Sequence, residues 1–454
     1  MANRARTSVA PAYLFACLVL GGSAQGIWQN MVLQLAGVAI ITWAAMDKPV
    51  DDVPRPARQL LLLAIIAIAL VGLQLIPLPP GIWTHLGPRQ RIAEGFGTLG
   101  MRVPPEPLSL TPAATLDCLL KVIPSLALFC ALVRLKAYRP QWLVLALVAG
   151  TLAGIALGAM QVASSGAGLS PWYLYEDTSI GRAVGFFANA DHMGTLLLVT
   201  IPFLAAVVAA GRSASMQRYS ALIAVVAGAA ILILIGLALN GSLVGYGLAL
   251  PVLAASALII VAEGSRLRSW IFSLALLLLV ASTAALETAP IGAGSIGEHA
   301  STALQSRAEL LSTTTRAARD FMPFGSGLGS FQSVYPLYER PLQVTTEYVV
   351  HAHNDYAEIA LELGVPGILL MLLFLAWWVA AVWRAWRSSE VRPFARAASI
   401  ASAAVLVHSL VDFPLRTATI SACFGMCLAL LADSTSAPPK EEKQLRRSRH
   451  IEFK

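Results

Sequence analysis

Charge is scarce in this chain: of 454 residues, 13% are Asp, Glu, Lys or Arg and 57% are hydrophobic, with a mean hydropathy of +0.69. So little polar surface could not cover a soluble fold, which excludes a soluble globular enzyme and leaves a chain that crosses a bilayer repeatedly. Cysteine is scarce too. The five cysteines (Cys17, Cys118, Cys130, Cys423 and Cys427) all fall inside apolar stretches, so neither a disulfide framework nor a zinc-ligand spacing is present. Cys423 and Cys427 share a helix face with no His or carboxylate nearby in sequence, as packing residues do. Self-similarity at a period of about 20 to 50 residues is absent, which removes solenoids and propellers.

What the chain has is long apolar stretches of the roughly 17 to 25 residues needed to cross hydrocarbon. They lie near 10–28, 31–46, 59–77, 113–133, 141–163, 191–210, 220–239, 243–262, 269–286, 364–383, 397–413 and 417–432. The fold class expected is an all-α polytopic membrane protein of about 12 transmembrane helices with a large outer loop containing short helices. The expected organisation is membrane helices over 1–286, the large outer loop over 287–354, the last three helices over 355–432 and a basic tail over 433–454. With the N-terminus inside, the inner segments hold 22 of the 32 Lys and Arg residues, so both termini are expected to be cytoplasmic. Lys121 is placed within a span. The net charge of +7 thus reflects loop anchoring at membrane lipids and gives little support to nucleic-acid binding. The first span has the look of a signal peptide, and an uncleaved helix is expected there because the rest of the chain is itself membrane-inserted.

Function is expected on the outer side, where segments 78–111, 164–190 and 287–354 are longest. The first, rich in proline and glycine, is expected to lie along the interface as a cap, with Trp83 and Phe96 among its charges and His85 belonging to it. In HAHNDYAEIALELGVPGIL (351–369), Asp355 and Glu358 have the spacing of a helix N-cap and its N3 partner. Capping explains the carboxylates and leaves His353 over. Placed just before a helix at the membrane surface, its neutral imidazole could take a proton from a hydroxyl. His351 and His353 on an extended segment would point the same way, with Asp355 near, yet no further ligand lies close in sequence, so no metal is expected.

GRAVGFFANADHMG (181–194) puts Arg182 at a membrane surface, where an unpaired guanidinium calls for an anionic partner, a lipid headgroup or a phosphate. Asn189, Asp191 and His192 can cap the helix that follows, Asp191 above all. On the large outer loop SRAELLSTTTRAARDF reads as a helix capped by Ser306 with Glu309, and Arg307 at its head is best placed for a phosphate. FGSGLGSF (324–331) lacks a preceding strand and a Lys-Ser/Thr ending, so it reads as a tight turn. Finally HSLVDFPLRTA (408–418) brings His408, Asp412 and Arg416 to one face at a helix end, interrupted by Pro414. An Asp412–Arg416 pair joining the last two spans is the structural reading.

Taken in order across 181–415, these stretches resemble the O-antigen ligase and O-antigen polymerase superfamily of bacterial membrane glycosyltransferases. HAHNDYAEIALELGVPG is the most specific; the first 180 residues add only a helix count and a proline-rich outer loop. The resemblance implies a GT-C-like helical fold in the inner membrane, acting at the periplasmic face on glycans carried by undecaprenyl pyrophosphate. It implies His353 as the functional histidine, and Arg307, Arg182 and Arg416 as candidates for the donor pyrophosphate. His351, Asn354, Asp355, Glu358, Asn189, His408 and Asp412 would support them. No cofactor is implied; the acceptor would be lipid A-core or a growing glycan. One departure stands out: many relatives carry Ser-Arg where this chain reads NGSLVG, so Ser242 is followed by Leu243. Ligation, repeat-unit polymerisation and protein O-glycosylation all remain open, and a secondary transporter is the alternative of another class, disfavoured because the halves do not match and the longest loop is external.

Overall fold

The computed structural model of the protein describes residues 2–47, 52–136, 138–164, 170–261, 263–288, 307–340, 349–388 and 392–433. Helices α1 (Ala2–Leu20), α2 (Trp28–Met46) and α3 (Arg55–Leu73) lead into a cap made of β1 (Pro77–Leu78), α4 (Pro80–Trp83), α5 (Gln90–Thr98) and β2 (Glu106–Pro107). Then come α6 (Pro112–Lys121), α7 (Ile123–Cys130), α8 (Pro140–Ser164), α9 (Ala190–Ala210), α10 (Met216–Asn240), α11 (Leu243–Ile260) and α12 (Arg266–Thr288). Two shorter helices, α13 (Arg307–Asp320) and α14 (Phe331–Val334), precede α15 (Asp355–Arg387), α16 (Pro393–His408) and α17 (Ala418–Asp433). Among the described residues the only sheet is β1 paired antiparallel with β2, Pro77 opposite Pro107.

Nine helical segments among the described residues are long and apolar enough to cross a membrane. Three of the expected spans, Ala5–Leu20, Pro393–His408 and Ala418–Asp433, are shorter apolar helices of 10–17 residues. The last two are short because residues 409–417 leave the helix at a turn containing Pro414, whose ring removes a backbone donor and sets φ. The middle of the bundle is α9 and α17, apolar on every side and buried along most of their length. A helix apolar all round and buried belongs to a core. By contrast, α12 turns Trp270, Phe272 and Leu277 outward, as a lipid-facing helix does.

The cap is a packed unit. Trp83, expected among interfacial aromatics, is buried and donates its indole N–H to the Pro104 carbonyl at 2.9 Å. Arg89, also buried, donates to the carbonyls of Leu86, Leu108 and Gly325 and lies 5.4 Å from the Phe321 ring centroid. Burial with carbonyl partners alone pulls its guanidinium down to about 10. The 324–331 loop is a turn with Gly325, Gly327 and Gly329 at positive φ, and it seats on a break in α15. There Gly364 has φ 59° and ψ −147°, and a Cβ would stand 2.2 Å from the Pro323 carbonyl oxygen. Only glycine fits that conformation and that approach.

Candidate active site

The start of α15 is capped by Asn354, one residue earlier than expected: its Oδ1 accepts from the Ala357 N–H at 2.9 Å and its Nδ2 donates to the Leu410 carbonyl at 2.8 Å. Asp355 and Glu358 are therefore released from capping and turn inward to Arg416. Its Nη2 lies 2.8 Å from Glu358 Oε1, and its Nε 3.7 Å from Asp355 Oδ1. Glu358 is 1% exposed, and a carboxylate buried that deeply needs every partner it can find. It also accepts from the Ala352 N–H at 3.2 Å and meets His351 Nδ1 at 3.0 Å. Burial works against the Arg416 charge, but Glu358, Glu362 and Asp355 outweigh it and hold the guanidinium more firmly protonated than usual. Burial, with the Arg416 charge beside it, pulls the His351 imidazole below its ordinary range, so it is neutral at pH 7.

His353 takes a different partner because its backbone sits in the left-handed region at φ 49°. That conformation is uncommon for a residue with a Cβ, and it breaks the alternation that would have aimed both histidines one way. His353 Nδ1 meets Asp412 Oδ1 at 3.0 Å. The other oxygen, Asp412 Oδ2, faces His408 Nε2 at 3.5 Å and His192 Nε2 at 3.6 Å, while His408 Nδ1 contacts Thr195 Oγ1 at 2.5 Å. Burial pushes the Asp412 carboxyl up, yet His353 and His408 outweigh it and hold the group well below the usual carboxylate range. The expected Asp412–Arg416 pair does not form: past His408 the chain leaves the helix, so Asp412 keeps its place near His408 while Arg416 swings to α15.

The Phe413 ring joins the two groups, with its centroid 4.2 Å from His351, 5.1 Å from His353 and 5.4 Å from His192. Arg307 donates from Nε to the Val411 carbonyl at 3.0 Å, one residue before Asp412. Arg182 lies on a loop tied to the end of α10, where Asn240 Nδ2 donates to the Ala183 carbonyl at 2.8 Å. Asn189, rather than Asp191, caps α9, accepting from the Asp191 N–H at 2.8 Å. Asp191 accepts instead from Ser242 Oγ at 2.5 Å, and Ser242 caps α11, so the residue ahead of Leu243 is already committed. The Ser306 cap expected for α13 falls outside the described residues.

A cavity of about 580 Å³ opens beside this arrangement, walled by the 22–26 loop, α6, the 177–179 turn, Phe413 and Arg416. His351 lines it; His353, Arg182 and Arg307 do not. Lys121 lies within the span Pro112–Leu135, as expected, and faces this cavity at the end of α6, 2.6 Å from Asp117. Glu362 is a further residue that the sequence reading passed over. It is 1% exposed, and its Oε1 accepts from the Phe331 N–H at 3.0 Å while its carbonyl receives Gln74 Nε2 at 3.0 Å. The signal was present, since Asp355, Glu358 and Glu362 recur at three- and four-residue spacing along one helix face. Among the described residues no group of three or more His, Cys, Asp or Glu is placed to hold a metal ion.

Residues 228–372 match the family model described as O-antigen ligase. The match spans about a third of the chain and supports a place in the O-antigen ligase superfamily. No curated protein matches the chain. The matched O-antigen ligase segment holds Arg307, His351, His353, Asn354, Asp355, Glu358 and Glu362, whereas Arg182 and His192 precede it and Asp412 and Arg416 follow it. The side chains outside the segment are the partners of those inside: Asp412 for His353, Arg416 for Glu358. The matched segment, together with the many apolar helices, supports a multi-pass membrane protein of the ligase and polymerase kind.

Proposed function

We propose that the protein transfers a glycan from undecaprenyl pyrophosphate to an acceptor hydroxyl at the capped end of the bundle, facing the periplasm, in a single inverting displacement that uses no metal. The observation that supports this is the 3.0 Å contact between His353 and Asp412, because an ionised carboxylate can only accept there. With Nδ1–H donated to Asp412, Nε2 is the acceptor that can remove a hydroxyl proton. The acceptor oxygen attacks the anomeric carbon, the bond from that carbon to the phosphate oxygen breaks, and undecaprenyl pyrophosphate leaves with the electron pair while the proton ends on His353. Pyrophosphate is a good leaving group, so charge neutralisation is the remaining need, which guanidinium groups meet. Arg307, beside Val411, is the nearer candidate and Arg182 the second. Arg416, already engaged by Glu358, is assigned to positioning instead.

Polymerisation of lipid-linked repeat units uses the same chemistry, and the occupied Ser242 followed by Leu243, where many relatives have arginine, favours that reading over strict ligation. The test compares surface and lipid-linked glycans, separated by gel, from cells carrying the wild type, His351→Ala or His353→Ala at matched protein levels. Loss of product with accumulation of donor in His353→Ala alone supports the assignment, and the missing band separates polymer from lipid A-linked glycan. Unchanged glycans in both variants would withdraw it. Retention of anomeric configuration between donor and product, seen by NMR, would contradict the single displacement.

A further inference from the structure

The cavity beside Phe413 holds more negative than positive charge. Asp117, Asp177 and Glu358 line it against two cations, Lys121 and Arg416. Each cation already has a carboxylate: Lys121 lies 2.6 Å from Asp117 and Arg416 2.8 Å from Glu358. Asp177 is the carboxylate left over, and it accepts from the Gln25 amide at 3.3 Å. The neutral His351 adds nothing to offset it. A polyanion such as pyrophosphate meets a poor field here, and so does an acidic sugar, since like charges brought together in a partly desolvated site are strongly disfavoured.

The rest of the wall matches a polyol. Amide side chains of Gln25, Asn189 and Gln332 and the hydroxyls of Thr178 and Ser179 face the same space as the rings of Phe331 and Phe413. Amides and carboxylates serve sugar hydroxyls as acceptors, and an aromatic ring suits the apolar C–H face of a pyranose. Phe413 also touches His353, so an occupant of the cavity lies next to the assigned base.

From this, and resting on the transferase reading above, we propose that the cavity is a saccharide subsite selective for an uncharged or amino sugar, with Asp177 as the residue that excludes acidic ones. The lipid pyrophosphate then lies outside the cavity, on the Arg307 side of Asp412.

Cys118 is a built-in reporter: it lines the cavity, whereas the other four cysteines are buried in the bundle. In purified full-length protein in detergent, its modification by a trimethylammonium methanethiosulfonate should run at least about tenfold faster than by the sulfonate analogue. Asp177→Asn should narrow that ratio several-fold, and lipid-free neutral glycan released from the cells' own surface polymer should slow both reagents. A cysteine placed at Gln332 on a Cys118→Ser background gives the same ratio from the opposite wall and decides the matter if Cys118 reacts too slowly. Equal rates for the two reagents at both positions, a ratio untouched by Asp177→Asn, or no protection by the glycan would overturn the proposal. The readout needs no turnover, so His353→Ala should still be protected by glycan. A failure of the transferase reading, in which His353→Ala keeps activity, is thereby told apart from a failure of the subsite.

Discussion

Two carboxylates a few residues' reach from Phe413 are buried to the same degree, 1% exposed each, yet they are neutralised in different ways. Glu358 is held by Arg416, a group that stays charged at every accessible pH. Asp412 is met by the imidazoles of His353, His192 and His408, a side-chain type that can take up and release a proton. A fixed cation fits a carboxylate whose task is to hold α15 and the 408–418 turn together. Imidazoles fit one whose task is to orient a base and bear a transient positive charge on it. On the proposed reaction, holding falls to one nest and chemistry to the other, and substitutions on each side should separate the two.

The largest separation is in turnover. His353→Ala should lower transfer by about 10² to 10⁴-fold with little change in thermal stability, measured on purified protein in proteoliposomes. His351→Ala should cost far less activity, because His351 faces Glu358 and the cavity wall. Equal losses from the two histidines would dissolve the distinction between the nests.

Next comes stability. Arg416→Ala leaves Glu358 buried without its cation and should destabilise the protein by about 3 to 5 kcal/mol, read as a fall in melting temperature in detergent. Adding Glu358→Gln to that variant should recover part of the loss, since the stranded charge is gone. If Asp412→Asn destabilises as much as Arg416→Ala, Asp412 is also a holding group and the comparison fails.

Much of this was readable beforehand, and the failures have physical causes. Composition and apolar length were enough for a polytopic helical bundle, and the motifs named His353 and Asp412, which the structure brings to 3.0 Å of each other. Partner choice was not readable. Capping by Asn354 rather than Asp355 depends on the Leu410 carbonyl reaching its amide, a contact across 56 residues. The Asp412–Arg416 pairing looked natural from helical spacing, and it fails because the chain stops being helical after His408. Lys121 does lie within a span, Pro112–Leu135, but that it lines a cavity was not readable, because hydropathy cannot tell a lipid-facing position from one that faces a cavity.

A smaller effect separates the groups by pH. His351 has a folded value below its ordinary 6.5, so the unfolded chain binds more protons between the two values. Stability from this residue is therefore full above about 6.5 and falls as the medium is acidified through that window. Asp412 is depressed below 3.8, so its contribution persists above 3.8 and is lost only in stronger acid. The melting-temperature advantage of the wild type over His351→Gln in detergent should accordingly shrink on mild acidification, while the difference between the wild type and Asp412→Asn should hold over the same window.

The finest test uses Asn354, whose side-chain hydrogen bonds serve both nests at once. Its Oδ1 caps the helix that carries Glu358, and its Nδ2 holds the Leu410 carbonyl in the turn that carries Asp412. Asn354→Ala removes both and should cost about 0.5 to 2 kcal/mol, the usual range for a lost N-cap. Asn354→Asp keeps an oxygen for the Ala357 N–H but has no N–H to give Leu410, so melting temperature should stay near the wild type while Asp412 loosens. Activity should then drop more than stability does, because a base misplaced by even a fraction of an ångström loses its alignment with the hydroxyl. If Asn354→Asp loses stability and activity together, the Leu410 link is part of the general scaffold, and the Asp412 nest is held no more delicately than the Glu358 nest.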